Sequence, residues 1–218
     1  MKTIAHHSEL KASSHATFLD KPTPSAQLIL FAVLVLSMAA TRYHHFSAVL
    51  HIADTSWAAF FLAGLYLRAR WMLVALMGLA VVIDLAAVWT DGLGMTGCFS
   101  PAYPGLLLAY GALWGAGRLS RHAMRPDEPA LATILATILA VIGWLALGVI
   151  AAFALSNLSF WAWSGHFADL SLGDYLQRVM GYLGRYMAST SLYVGLGLGV
   201  MIVAQTLTIR LSNPKAAH

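Results

Sequence analysis

Long apolar stretches separated by short polar ones set the pattern of this chain. Apolar runs cover 26–40, 71–89, 102–117, 130–155 and about 189–209. A further run ends at Leu67 and is too short if it begins at Trp57. Extending it back to about Ser47 gives it the needed length and puts His51 and Asp54 in or just above its first turns. A helix needs about 20 apolar residues to cross the hydrocarbon of a bilayer. The pattern therefore predicts an all-α membrane protein of six transmembrane helices. Trp71 and Trp89 bracket the third run in the manner of an interfacial aromatic belt.

Composition supports this pattern. Apolar residues make up 59% of the 218 and charged residues only 10%, whereas soluble domains carry about 25%. Mean hydropathy is +0.71. The net charge is +4 and the isoelectric point about 9.4. A basic balance can signal nucleic acid, but here the basic residues sit at the margins of the apolar runs, where they orient a membrane protein. With the N-terminus inside, inner segments hold Lys2, Lys11, Lys21, Arg68, Arg70, Arg118, Arg121, Arg125, Arg210 and Lys215. Outer segments hold only Arg42, Arg178 and Arg185, so the division is ten against three. Both termini are expected in the cytoplasm. The expected organisation is a cytoplasmic N-terminal tail over 1–25, a six-helix domain over 26–211 and a C-terminal tail over 212–218. The first 24 residues lack the apolar stretch of a cleavable signal. His6, His7 and His15 there read as part of a solvated tail more readily than as a metal site.

The outer connections hold most of the chemically versatile side chains. The first, 41–55, carries Arg42, Tyr43, His44, His45, His51 and Asp54. The second, 90–101, reads TDGLGMTGCFSP and carries Asp91, Met95, Cys98 and Phe99. The third, 156–188, is first aromatic, with Phe160, Trp161, Trp163 and His166, and then reads as a helix from about 172 to 187, with Ser171 and Asp174 spaced as a capping box. Asp84 is the one carboxylate inside an apolar run. At that depth it must pair, face water or be protonated. It is either an ion-pair partner of Arg42, Arg178 or Arg185, or part of the floor of an outward cavity. Cys98 lies among Gly92, Gly94, Gly97, Ser100 and Pro101. Its thiol is either idle or a soft ligand for a late transition metal. His44 and His45 are adjacent, so on a helix they diverge by about 100° and at most one faces a shared site. Small residues four apart (Gly111 and Gly115, Ala132, Ala136 and Ala140, Gly195 and Gly199) predict close helix contacts. No Walker A sequence, HExxH, GxSxG or CxxC is present, which disfavours an ATPase and leaves enzymatic activity undecided.

The segments RYHHFSAVLHIADTSWAAFFLAGLYLR and TDGLGMTGCFSPAYPG resemble cobalamin transport proteins of the BtuM family, which are solitary substrate-binding S components of the energy-coupling-factor type. The resemblance covers about 26–211. It implies an S-component bundle in the bacterial inner membrane with an outward pocket for vitamin B12. It also implies that Cys98 is an axial ligand to the cobalt of cobalamin, that Tyr103 lies close to the corrin, and that His44 or His45 lies near its other side. Met95, Phe99, Asp84, Trp161 and Trp163 complete the expected ligand-binding set, and no cofactor beyond the transported cobalamin is implied. A thiolate ligand would labilise a cyanide on the opposite face. The first helix departs from the family pattern: Ala32 is followed four residues later by Leu36 rather than by alanine. That weakens the expectation of docking on a shared energising module. Other readings stay open, namely an S component or permease for a different vitamin or a metal, a haem-binding oxidoreductase subunit, and a purely structural membrane subunit.

Overall fold

A computed structural model of the chain describes residues 23–42, 53–90, 100–123 and 131–212. Among them it is all-helical, with six helices: α1 (Pro24–Arg42), α2 (Ser56–Tyr66), α3 (Arg70–Thr90), α4 (Tyr103–Ala123), α5 (Leu131–Trp163) and α6 (Leu172–Ser212). Four of these, α1, α3, α5 and α6, are long and apolar enough to cross a membrane. That is compatible with a multi-pass membrane protein. The remaining two differ from the expected spans. α2 has 11 residues, about 16 Å at 1.5 Å per residue. α4 is rich in glycine and tyrosine and ends in Arg121 and His122.

α2 is the core of the bundle. Every residue from Ser56 to Tyr66 is buried, and α1, α3, α4, α5 and α6 all pack against it. A helix apolar on all sides has no face for water and belongs at the centre. Its start is also sharper than the pattern suggests. Asp54 precedes the helix and binds its first turn, with Oδ1 accepting from the Ser56 backbone N–H at 2.9 Å and from Ser56 Oγ at 2.6 Å. His51 lies outside the described residues.

The helices alternate in direction between two ends. The start of α1 meets the end of α2, where Gln27 Oε1 accepts from the Arg68 N–H at 3.0 Å. The end of α1 meets the start of α2, where Thr41 and Thr55 hydroxyls lie 2.9 Å apart. α1 itself starts at Thr23, whose hydroxyl accepts from the Ala26 N–H, followed by Pro24 in the first turn. Arg68, Arg70, Arg118 and Arg121 gather at one end, while Arg42, Arg178 and Arg185 belong to the other half, as the charge pattern suggests.

Two elements run longer than expected. α5 continues through Trp163, so Phe160, Trp161 and Trp163 stand on its last turns rather than in a loop. α6 joins the expected outer helix and the last span into one helix of 41 residues. Ser171 starts it as the spacing suggests: its hydroxyl accepts from the Asp174 N–H at 3.2 Å and donates to Asp174 Oδ2 at 2.6 Å.

Glycines bring helices together, but not those the four-residue spacing singles out. α2 and α4 touch backbone to backbone at Gly64 and Gly117, where a Cβ would collide with the carbonyls of Trp114 and Phe61 respectively. Gly115, Gly195 and Gly199 have open space at that position, and Gly111 meets only the end of Met77. Ala136 is exposed as well, and Ala132 lies among side chains outside the described ones. The outer surface is apolar: Leu36, Val74, Leu139 and Val200 are each at least 65% exposed. Water-soluble proteins rarely present contiguous apolar surface on that scale. Tyr66 holds the one buried side-chain polar atom without a hydrogen-bond partner among the described residues.

Gly64→Ala and Gly117→Ala should each destabilise the detergent-solubilised protein by about 1–3 kcal/mol, the usual cost of overpacking. Gly195→Ala should leave the melting temperature within a degree or two, because nothing opposes the added methyl. Thermal unfolding of the three variants side by side checks both expectations.

Candidate functional site

One guanidinium ties four helices together. Arg42, the last residue of α1, reaches Asp84 of α3 with two parallel bonds, Nε to Oδ1 and Nη2 to Oδ2, both 2.7 Å. This is the fork geometry in which arginine binds carboxylate best. Its Nη1 lies 2.5 Å from the Tyr110 hydroxyl of α4 and 3.2 Å from both Asp54 Oδ2 and Ser56 Oγ at the start of α2. Tyr103, in the first turn of α4, donates its hydroxyl to Asp84 Oδ2 at 2.8 Å. The Arg42 side chain is only 10% exposed and that of Asp84 only 18%, so both charges need these partners.

Of the two readings open for Asp84, the ion pair is realised, and with Arg42 rather than Arg178 or Arg185. Asp84 does not line a cavity itself; its partner Arg42 does, in a cavity of about 630 Å³ at this end of the bundle. Its walls come from Asp54 and Trp57 at α2, Leu106 and Tyr110 of α4, and Arg185, Tyr186, Ser189 and Thr190 of α6. Aromatic rings frame it. Trp57 packs on Tyr186 with centroids 4.5 Å apart, and Tyr110 stacks flat on Phe60 at 4.3 Å. Tyr193 holds α6 against the rim by donating to the Ala53 carbonyl at 2.9 Å. A few polar groups converging in a largely apolar concavity of this size is the usual make-up of a small-molecule site.

The structure brings together only part of the expected set. Asp84 and Tyr103 meet directly. Trp161 and Trp163 do not line the cavity. Trp161 Nε1 donates to the Leu170 carbonyl at 3.1 Å and closes the turn between α5 and α6, and Trp163 is 59% exposed. His44, His45, Met95, Cys98 and Phe99 lie outside the described residues. The residues that bracket their segments are described, however, and they meet at this site. Arg42 and Ala53, which flank 43–52, both line the cavity. On the other side, Asp84 lies six residues before the end of α3 and Tyr103 starts α4, and their side chains bond across the two ends of 91–99.

Ser56, Trp57, Tyr110, Tyr186, Ser189 and Thr190 were not singled out by the sequence pattern. One signal was available for Tyr110: it stands seven residues after Tyr103, two helical turns along, and so on the same face. Among the described residues no group of three His, Cys, Asp or Glu side chains is placed to hold a metal ion. No protein-family model matches this chain, and no curated protein matches it.

Arg42→Gln should cost about 3–5 kcal/mol, the penalty for leaving a buried carboxylate without its partner. Tyr103→Phe removes the hydrogen bond to the Asp84 carboxylate and should cost about 1.5–3 kcal/mol. The double variant Arg42→Gln/Asp84→Asn should lose less than the sum of the two single losses, and a double-mutant cycle of unfolding free energies reads that coupling.

Proposed function

We propose that this chain is an integral protein of the bacterial inner membrane that captures cobalamin from the outer side and passes it inward. The cavity floored by Arg42 and Tyr110 is the place of capture, and Cys98 is the axial ligand to cobalt. The observation that carries the reading is that Arg42, which lines the cavity and precedes 43–52, also binds Asp84, whose bond to Tyr103 joins the helices on either side of 91–99. The segment with His44 and His45 leaves from its lining residue Arg42, and the segment with Cys98 spans between helices joined by the Asp84–Tyr103 bond. The resemblance of those two segments to cobalamin transport proteins names the ligand.

In this reading all six helices lie in the bilayer, with α2 sheltered inside the other five, and the arginine-rich end with both termini faces the cytoplasm. The wall residues divide the work. Tyr186 offers ring surface to the apolar part of a corrin, with Trp57 packed behind it. Ser189, Thr190 and Arg185 offer polar groups to the amides at its rim. A pocket of about 300–1,000 Å³ suits a drug-sized ligand, so the cavity holds only part of a corrinoid. The thiol of Cys98 gives up its proton on binding cobalt. Electron donation from the thiolate weakens the bond on the opposite face and favours loss of cyanide there. The Arg42 network holds the floor rigid and takes no part in ligation. Transport proceeds without a shared energising module, in keeping with Leu36 at the position where the docking pattern calls for alanine.

Protein purified in detergent from cells given cobalamin should carry a corrinoid visible spectrum, and Cys98→Ala should shift that spectrum. Ser189→Trp, which fills the cavity, should weaken corrinoid binding at least tenfold, about 1.4 kcal/mol, while the protein stays folded. A corrinoid spectrum that Cys98→Ala leaves unchanged would remove the cysteine from the mechanism. Folded protein without any corrinoid would turn the reading toward a different vitamin.

A further inference from the structure

At the end of the bundle away from the cavity, Arg68, Arg118 and Arg121 form a cluster without a described carboxylate, and Arg70 stands beside it in the chain. Arg118 Nη1 donates to the Arg68 carbonyl at 3.5 Å and Arg121 Nη2 to the Leu67 carbonyl at 3.4 Å. These contacts fasten both side chains over the C-terminus of α2. Arg118 also lies over the Trp114 ring, 4.7 Å from its centroid. Arg121 is close enough to Arg118 and Arg68 for their positive charges to oppose its own. Arg70 opens α3 two residues beyond Arg68, and both are exposed. The described carboxylates are Asp54, Asp84, Asp169 and Asp174. The first two bind Arg42. The other two stand before or at the start of α6, the helix end that Tyr175 joins to α5 through Asn157. None of the four faces this cluster.

Like charges held together by backbone contacts attract anions. Each guanidinium has five N–H donors, and the carbonyl bonds of Arg118 and Arg121 leave most of theirs free. The surface beside the cluster is apolar: Leu119 sits between the two arginines and is 46% exposed, Trp71 follows Arg70 and is 55% exposed, and Val74 one turn on is 68% exposed. A soluble phosphate has no use for that apolar apron. A phospholipid has a phosphate for the arginines and acyl chains for the apron.

We propose that Arg68, Arg70, Arg118 and Arg121 form a binding site for the headgroup of an anionic phospholipid at this end of the bundle. Arginine pairs bidentately with phosphate oxygens, and basic recesses between helices at a membrane surface are suited to anionic headgroups. The inference uses only the membrane-embedded part of the proposed function and is independent of the ligand in the cavity.

The test is thermal unfolding of the detergent-solubilised full chain with added phosphatidylglycerol or phosphatidylcholine of the same acyl chains. Phosphatidylglycerol should raise the melting temperature by several degrees more than phosphatidylcholine. That difference should vanish in Arg68→Gln/Arg70→Gln, whose side chains hold no part of the fold together, and in Arg118→Gln/Arg121→Gln if that variant folds. It should persist in Arg178→Gln, an exposed arginine near the start of α6. It should also shrink at about 1 M salt, where charges are screened beyond about 3 Å. Equal responses to the two lipids, or a difference that survives Arg68→Gln/Arg70→Gln, would overturn the site. So would inorganic phosphate reproducing the effect at the same anion concentration, because the anion would then be a soluble one. A chain that stays in solution without detergent would instead refute the membrane reading on which the site depends.

Discussion

The bond between Arg42 and Asp84 is the constraint around which this end of the protein is arranged. An ionised carboxylate inside an apolar helix is costly unless matched, and the match comes from another helix 42 residues away in sequence. Because the guanidinium also reaches Asp54, Ser56 and Tyr110, satisfying one buried charge fixes α1, the start of α2, α3 and α4 relative to one another. A buried pair of this kind adds little to net stability compared with apolar packing. Its value lies in geometry, since α1 can end, and α2 and α4 can begin, only where these donors and acceptors coincide.

The cavity follows from that arrangement. Asp84 and Phe60 hold Arg42 and Tyr110 in place, so the fold itself sets this side of the cavity. The side walls are less constrained. α6 meets the rim through Trp57 on Tyr186 and through the Tyr193 bond to Ala53, and most of its described side chains are exposed. One wall of the site thus belongs to a lightly fastened helix and the floor to a tightly fastened one.

The sequence carried the helical architecture well because apolar run length is a strong signal. The limits of α1 and α3 fall within two residues of the expected ones. It carried α2 poorly. Eleven apolar residues cannot cross hydrocarbon alone, and the natural repair, a longer helix from about Ser47, assumes that every apolar helix must span. Burial inside five neighbours is the other way to satisfy an all-apolar helix, and no local pattern separates the two. The glycine contacts show the same limit. Gly64 and Gly117 lie on different helices, so their meeting is a tertiary fact, whereas the regular spacing of Gly195 and Gly199 faces open space. For the site, Asp84 was legible because a lone charge in an apolar run demands a partner. Its choice of Arg42 over Arg178 and Arg185 was not, because all three stand in the same half of the charge pattern. The place of Trp161 and Trp163 on α5 was not legible, because aromatic residues near a helix end suit a loop and the packing of a turn equally well.

The shortness of α2 has an electrical consequence. Polar groups crowd both of its ends: Arg42, Asp54 and Tyr110 at one, and the carbonyls of Leu67 and Arg68 with Arg118 and Arg121 at the other. With the bundle in a bilayer, as proposed, the apolar layer along α2 would be about 16 Å thick at 1.5 Å per residue, against about 30 Å in the surrounding hydrocarbon. A voltage across the membrane would fall over roughly half the usual distance there, and the local field would be nearly doubled.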